Sequence, residues 1–260
     1  MREYLEDAEN HRDDGYGRAQ KHAQRELPKR FYKDVGVGTV GDQFAVTLDG
    51  RSPRTPGQKP VVVPSADLAK AMAVEWAGQG DRIDPDTMPL VRLVNTAIEA
   101  GDEKLPALRE EIVRYAGNDL LLYRADTPRE LVAEQERVWD DALVRLARHF
   151  GVGFQPTIGI VHQPQPQSTL DRLTQDVAVE SLLPLTALVS ITGITGSGLL
   201  ALALRHGLLD AEEAWIAAHV DEDYNIRLWG EVSETTARRA RRRAEYEAAI
   251  RVLSSLPRLA

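Results

Sequence analysis

The sequence predicts an α+β fold, with a small β-rich N-terminal domain followed by a mainly α-helical C-terminal domain. Three observations predict it. Apolar residues alternate with period two at Val35 and Val37 and at Phe44, Val46 and Leu48, and the apolar run Val61-Val62-Val63 follows. From Ser65 onward they recur at helical spacing. Leu182 to Ser190 is apolar on nearly every side, as a helix buried at the centre of a bundle would be.

Residues 1–26 hold few large apolar groups and read as a mobile or peripheral arm. Val35 and Val37 alternate, then Phe44, Val46 and Leu48, and Val61-Val62-Val63 follows. Gly41-Asp42 and Asp49-Gly50 separate these runs, which predicts a small antiparallel meander. Arg51 to Pro60 is a loop. Ser65 is a candidate N-cap for a helix whose Leu68, Met72 and Trp76 share one face. Asp84-Pro85-Asp86-Thr87-Met88-Pro89 interrupts helical structure, and either aspartate could cap a second helix starting near Leu90. Leu105, Leu108, Ile112 and Tyr115 mark a third helix. Leu120-Leu121-Leu122-Tyr123 reads as a buried strand or a helix end.

The second half begins on Thr127-Pro128-Arg129-Glu130, which reads as a capping box with Pro at the first helical position. Leu131, Val138, Ala142, Leu146 and Phe150 carry the apolar stripe behind it. Phe154 to His162 predicts a strand, with the Gln163-Pro164-Gln165-Pro166 linker after it. A helix follows from Ser168, a further capping box stands at Asp210-Ala211-Glu212-Glu213, and the last helix runs from about Ser233 to Leu253. The expected division is therefore an arm over 1–26, a β-containing domain with helices over 27–125, and a helical domain over 127–260. The strand at 154–162 could return to the first domain.

At 260 residues, 43% hydrophobic and 28% charged, the composition is that of a water-soluble globular chain with a sizeable core. No stretch reaches the ~18 consecutive apolar residues of a membrane span, so membrane insertion is not expected. The absence of cysteine removes disulfide and thiolate chemistry and fits a reducing compartment. A formal net charge of −8 argues against general nucleic-acid binding.

Two glycine motifs invite a nucleotide-using alternative. Gly36-Val37-Gly38-Thr39-Val40-Gly41 has dinucleotide-loop spacing, but a strand follows it where a helix would have to hold the pyrophosphate. Gly193-Ile194-Thr195-Gly196-Ser197-Gly198 precedes a helix but lacks a phosphate-binding lysine, so close packing of a broken helix pair suits it better. No cofactor or metal is expected. His162 has no neighbouring acid or serine to make a catalytic pair and reads as structural. Arg238, Arg239, Arg241, Arg242 and Arg243 cannot share one helix face. Glu234, Glu245 and Glu247 lie within reach of Arg238, Arg241 and Arg243, which predicts a self-paired solvated helix; an acidic partner is the functional alternative.

The run Asp221 to Val232 carries three acids, then Tyr224, then Trp229-Gly230-Glu231. Nothing in it forms a nucleophile–base pair. By local pattern it reads first as a buried Trp229 at a helix–helix corner among solvated acids. As an exposed surface it would suit protein binding, because indole supplies rigid apolar area and carboxylates set orientation.

The order of longer phrases narrows the choice. The chain resembles the family of ATP synthase assembly factor 12, chaperones of the alpha subunit of the catalytic head. The resemblance rests on Arg30-Phe31-Tyr32-Lys33, Leu48-Asp49-Gly50-Arg51 with Thr55-Pro56, and Glu75-Trp76-Ala77-Gly78-Gln79. It continues through Ile83-Asp84-Pro85 with Thr87-Met88-Pro89-Leu90, Arg114-Tyr115 with Asp119-Leu120-Leu121, and Tyr123-Arg124-Ala125. Gln135 with Trp139-Asp140, Gly196-Ser197 and the Trp229-Gly230-Glu231 corner complete it. Asp141, Tyr224-Asn225 and Ser233 depart from the family pattern. The resemblance implies a non-enzymatic role, in which a free alpha subunit is bound and its assembly surface shielded until the beta subunit joins. An acid held next to a glycine that can end a helix, between two helices of opposite charge character, can pair with a basic group on such a client, so the corner is the expected client-binding surface, with Glu231 as the charged contact, Glu234 as support, and Trp229 and Asp223 beside them. The chain is expected to be a monomer when free. The lack of a transit segment suggests a bacterial, cytoplasmic member; a eukaryotic one would act in the mitochondrial matrix.

Overall fold

A computed structural model describes residues 27–231 and 233–257; the expected arm lies outside the described residues. Strand β1, Val35–Val40, pairs antiparallel with β2, Gln43–Leu48, across the Gly41-Asp42 turn. Asp49 and Gly50 form the next turn at φ of 48° and 79°, conformations that the short Asp side chain and glycine tolerate. The third run of the meander contributes a single antiparallel bridge, Val63 to Phe44, with backbone bonds of 2.8 and 2.9 Å. Helix α1, Ala66–Ala77, packs on this hairpin with Leu68 and Met72 buried, and the Ser65 hydroxyl receives Leu68 N–H at 3.4 Å.

Helices α2, Pro89–Ala100, and α3, Leu105–Gly117, follow. Leu120–Leu122 is a 3-10 turn that leads into the two-residue strand β3, Tyr123–Arg124. Helix α4, Arg129–Gln135, runs through a π-type turn at Glu136–Asp140 into α5, Asp141–Phe150. Strand β4, Thr157–Ile158, pairs in parallel with β3. Helices α6, Gln167–Ala178, α7, Leu182–Thr195, α8, Gly198–Arg205, and α9, Ala211–Ala218, build the bundle. Helix α10, Val220–Trp229, and α11, Ser233–Ser254, close it.

Helix α7 is the centre, packed against α2, α3, α8 and α11, which explains why its sequence has no polar face. Buried residues on both sides of residue 126 belong to one apolar cluster. Gly196 ends α7 at φ 71°. Gly198 opens α8 so close to α3 that a Cβ there would lie 2.4 Å from the Ile112 carbonyl oxygen. Both obstacles nearest that Cβ are backbone, so Gly198→Ala should lower unfolding free energy by about 2 kcal/mol, as overpacking does, with a matching fall in the denaturation midpoint.

Three expectations change. Thr127 forms no capping box, because Pro128 stays extended at ψ 164° and itself occupies the N-cap position of a helix that starts at Arg129. The strand expected over 154–162 shrinks to Thr157–Ile158, since Pro156 offers no N–H and Gly159 turns to φ 81°. Asp84 caps the 3-10 turn Pro85–Thr87 through Asp86 N–H at 3.0 Å, not the helix near Leu90. The first free amides of α2, Leu90 and Val91, bond instead to the Glu75 carboxylate at 2.9 and 2.8 Å. Burial raises the Glu75 pKa and these two bonds oppose the rise.

Most phrases behind the resemblance prove to be long-range polar ties. The Asp49 carboxylate receives Lys33 and Asp34 N–H at 3.0 and 2.8 Å. Buried Gln79 bonds Thr87 and the Asp84 amide, and its carbonyl accepts from Arg30. Asp119 joins α3's end to the start of α8: it receives Ser197 Oγ–H at 2.6 Å, Leu199 N–H at 2.9 Å and Leu121 N–H at 3.2 Å. Trp139 donates from Nε1 to the Ala217 carbonyl at 2.8 Å. Gln135 joins Ala125 N–H and Asp221.

Candidate functional site

Helix α10 has little core of its own. Val220 is its buried residue, and three polar ties fasten the rest. Asp223 pairs with Arg239 of α11 at 2.5 Å, Arg227 pairs with Glu134 of α4, and Gln135 of α4 donates to Asp221 at 2.7 Å. At its start, buried His219 bonds the Trp215 carbonyl through Nδ1 at 2.7 Å. That bond requires the proton on Nδ1 and leaves Nε2 as an acceptor, and burial holds the imidazole pKa below its usual value.

A helix fastened mainly at its sides by charge can end in solvent. Trp229 is 78% exposed and Leu228 55% exposed. The sequence's first reading, a buried Trp229, is therefore corrected: Trp229 is the last residue of α10, which ends at Gly230 with φ 81° and ψ 171°, and its indole stands in solvent. Glu231 follows, exposed, with the Thr236 hydroxyl 3.4 Å from its carboxylate. Between α10 and α11 lies an open cleft of about 480 Å³ lined by Trp229, Glu231, Glu222, Ile226, Arg238 and Arg239.

The structure thus brings Trp229 and Glu231 to one cleft. Asp223 faces inward to Arg239, where it holds α10 against α11. The side chain of Glu234 lies outside the described residues. Sequence reasoning missed Leu228, Ile226 and the cleft itself. Leu228 stood beside the predicted tryptophan and could have been read as part of the same tip.

The arginine run is divided much as a helix requires. Arg243 pairs with Glu247 at 2.7 Å and with Glu212 at 2.8 Å, and Arg242 donates to the Ile194 carbonyl. Glu245 does not pair with Arg241 as its spacing suggested: it faces α2 and meets Arg92 at 2.8 Å. Arg238 and Arg241 remain exposed. His162 is exposed near Asn118 and Tyr123, with Nδ1 at 3.1 Å and 3.0 Å from their side chains. The first glycine motif is strand β1 and its turn, and no helix starts on it. The second ends α7 and opens α8 against α3, so its backbone is committed to packing.

The fold is a helical bundle with a hairpin annex, and it carries an exposed apolar tip beside a charged cleft, a surface suited to meeting another macromolecule. Residues 29–147 match the sequence model of the ATP12 chaperone protein family. The crystal structure of the Atu1473 protein from Agrobacterium tumefaciens superposes with a TM-score of 0.85 at 42% identity, covering 94% of this chain and 92% of that one. The crystal structure of Atp12 from Paracoccus denitrificans gives 0.80 at 35% identity, covering 87% and 97%. The mitochondrial protein atp12 of Schizosaccharomyces pombe is 25% identical over 223 residues, 79% of this chain and 75% of its own length. The chain belongs to the ATP12 chaperone family, a family of ATP synthase assembly chaperones.

Proposed function

We propose that this chaperone binds the free alpha subunit of the ATP synthase catalytic head and shields its assembly surface until the beta subunit joins. An obligate interface resembles half a hydrophobic core, so a subunit awaiting its partner exposes apolar surface that aggregates. The observation that carries the reading is the tip of α10, where Leu228 and Trp229 stand in solvent beside Glu231. Their apolar area would supply affinity, and Glu231 would meet a basic group on the client and set orientation. Asp223 would act indirectly, by keeping α10 in place through Arg239.

The test is retention of separately expressed alpha subunit by the immobilised full chain, with beta subunit as the control. Glu231→Lys adds repulsion as well as removing attraction, and is expected to weaken retention by about 2 kcal/mol, roughly 30-fold. Trp229→Ala should weaken it at least as much. Both side chains are exposed, so melting temperature should not change. Retention of both variants at the wild-type level would remove the corner from the site. Equal retention of alpha and beta would remove the client assignment.

A further inference from the structure

Helices α9 and α10 meet at a single residue. His219 closes α9 and opens α10, with φ −121° and ψ 14°, and its carbonyl accepts the Asp223 amide at 2.8 Å. The residue is 2% exposed, and its ring lies against the Trp215 indole with centroids 4.0 Å apart. Since Nδ1–H is given to the Trp215 carbonyl, Nε2 is a buried acceptor, and it has no hydrogen-bond partner among the described residues. A proton from solvent would turn that nitrogen into a donor.

The surroundings are divided over such a proton. Burial opposes it first, and Arg239 and Arg242 of α11 oppose it by charge. The N-terminal end of α10 is a further unfavourable place for a cation. Glu222, in the first turn of α10, favours it, but its carboxylate stands 3.9 Å from Nε2, too far for a hydrogen bond. Asp223, the acid after it in sequence, is committed to Arg239 at 2.5 Å.

We propose that His219 is a proton-operated pivot: a proton on Nε2 draws Glu222 inward, shifts the first turn of α10, and so lowers affinity for the client at the Trp229 corner. The inference rests on the client reading above. A charge-assisted bond between Nε2 and Glu222 requires the gap of 3.9 Å to close by about 1 Å. Glu222 lines the cleft together with Trp229, Ile226, Glu231 and Arg239, so its inward turn changes the wall the client would meet. The imidazolium is also a third positive charge beside Arg239 and Arg242, and Arg239 is the residue that ties α10 to α11. Helix α10 can answer this push because Val220 is its one buried residue, and an element with little buried area moves at low cost. Acid is the direction that operates the pivot. An unfolded chain's imidazole titrates near 6.5, and burial holds folded His219 below that value. The stability of the neutral arrangement is therefore fully present above pH 6.5 and is lost as pH falls through the folded pKa.

The experiment compares the full wild-type chain with His219→Asn, whose side-chain amide can still donate to the Trp215 carbonyl but takes up no proton. Retention of separately expressed alpha subunit is measured at pH about 7.5 and about 5.5, on either side of the ordinary imidazole range. Acidification should weaken retention by wild type about fivefold more than by His219→Asn, the low end of typical coupling between linked sites. Both chains meet the same client, so titration of the client cancels in that ratio. Glu222→Gln, at a side chain 28% exposed, removes the acid that the imidazolium needs and should flatten the response as well, which covers a failure of His219→Asn to fold. A second readout needs no client: hydrogen exchange of the α10 amides relative to those of α7, corrected for intrinsic rates. Residues 220–229 should lose protection with acid in wild type and keep it in the variants. Equal acid responses of wild type and both variants would overturn the pivot, and normal retention at pH about 7.5 would then leave the client reading standing. If wild type retains no alpha subunit at either pH, the client reading fails and the affinity effect with it, while the exchange data still decide whether α10 moves with the proton.

Discussion

Asp119→Ala should unfold at a midpoint about 4 kcal/mol below wild type, a fall in melting temperature on the order of 8–16 °C for a chain of this length. The carboxylate is fully buried and receives the Ser197 hydroxyl and the amides of Leu199 and Leu121. Truncation leaves three donors without partners in the middle of the bundle, at roughly 1–3 kcal/mol each, partly relieved if water enters. The pH dependence has a definite sign. Burial raises the Asp119 pKa from 3.8 to about 7, against the opposing pull of the hydrogen bonds it accepts. A raised carboxylate pKa means the folded state keeps a proton that the unfolded chain has released. The stability Asp119 contributes is therefore fully present below pH 4 and is lost as pH rises through 7. Denaturant midpoints of wild type and Asp119→Asn across pH 5 to 8 check this. The difference between them should vary with pH, and a pH-independent gap would show that Asp119 does not titrate there. Asn recovers only part of the lost stability, since its amide NH₂ faces donors.

Breaking the buried pair of Glu180 and Arg205 from either side should cost about 3–5 kcal/mol, while replacing both should cost less than either single change. The two side chains are 4% and 6% exposed and bond through two contacts, one of them 3.3 Å. Arg205 also holds the Pro257 carbonyl at 2.9 Å, and Arg109 donates to the Glu180 carbonyl at 3.1 Å. The pair thus joins the end of α6, the end of α8 and the chain beyond α11. Glu180→Leu strands a buried guanidinium, and Arg205→Met strands a buried carboxylate. The double variant strands neither and fills the space with apolar atoms. A double-mutant cycle from denaturant melts measures the coupling. Additive losses would show that the pair does not interact. Both residues are remote from the exposed corner in sequence and buried, so folded single variants should retain client normally at temperatures well below their melting.

The helices and the hairpin were legible because their signals are local. Asp210 and Glu213 form the expected reciprocal cap, with Glu213 N–H and Asp210 N–H both bonded across it. The apolar run of α7 announced its central position. The phrases of the family resemblance were legible as well, but their work was not. Glu75 reads as one more helix-surface acid until α2 is brought to it, and only then does it cap Leu90 and Val91. Thr127 shows the opposite case, since its motif is complete in sequence yet Pro128 holds an extended conformation and takes the cap position.

By itself the sequence determined the class of fold, the order of elements, the central helix and the family. These follow from period, turn residues and phrase order, all of which act over a few neighbouring residues or can be compared directly. Only the tertiary structure decided which of several acids and aromatics face solvent. Trp229 ends α10 on the side away from the bundle, since the helix is held by Asp223, Arg227 and Asp221 to Arg239, Glu134 and Gln135 of α11 and α4 and buries only Val220. Asp223 turns inward for the same reason. Ile160 is left open because its neighbour Gly159 bends away from β3 after two residues of pairing. Exposure depends on the packing of segments distant in sequence, and no local pattern carries that information.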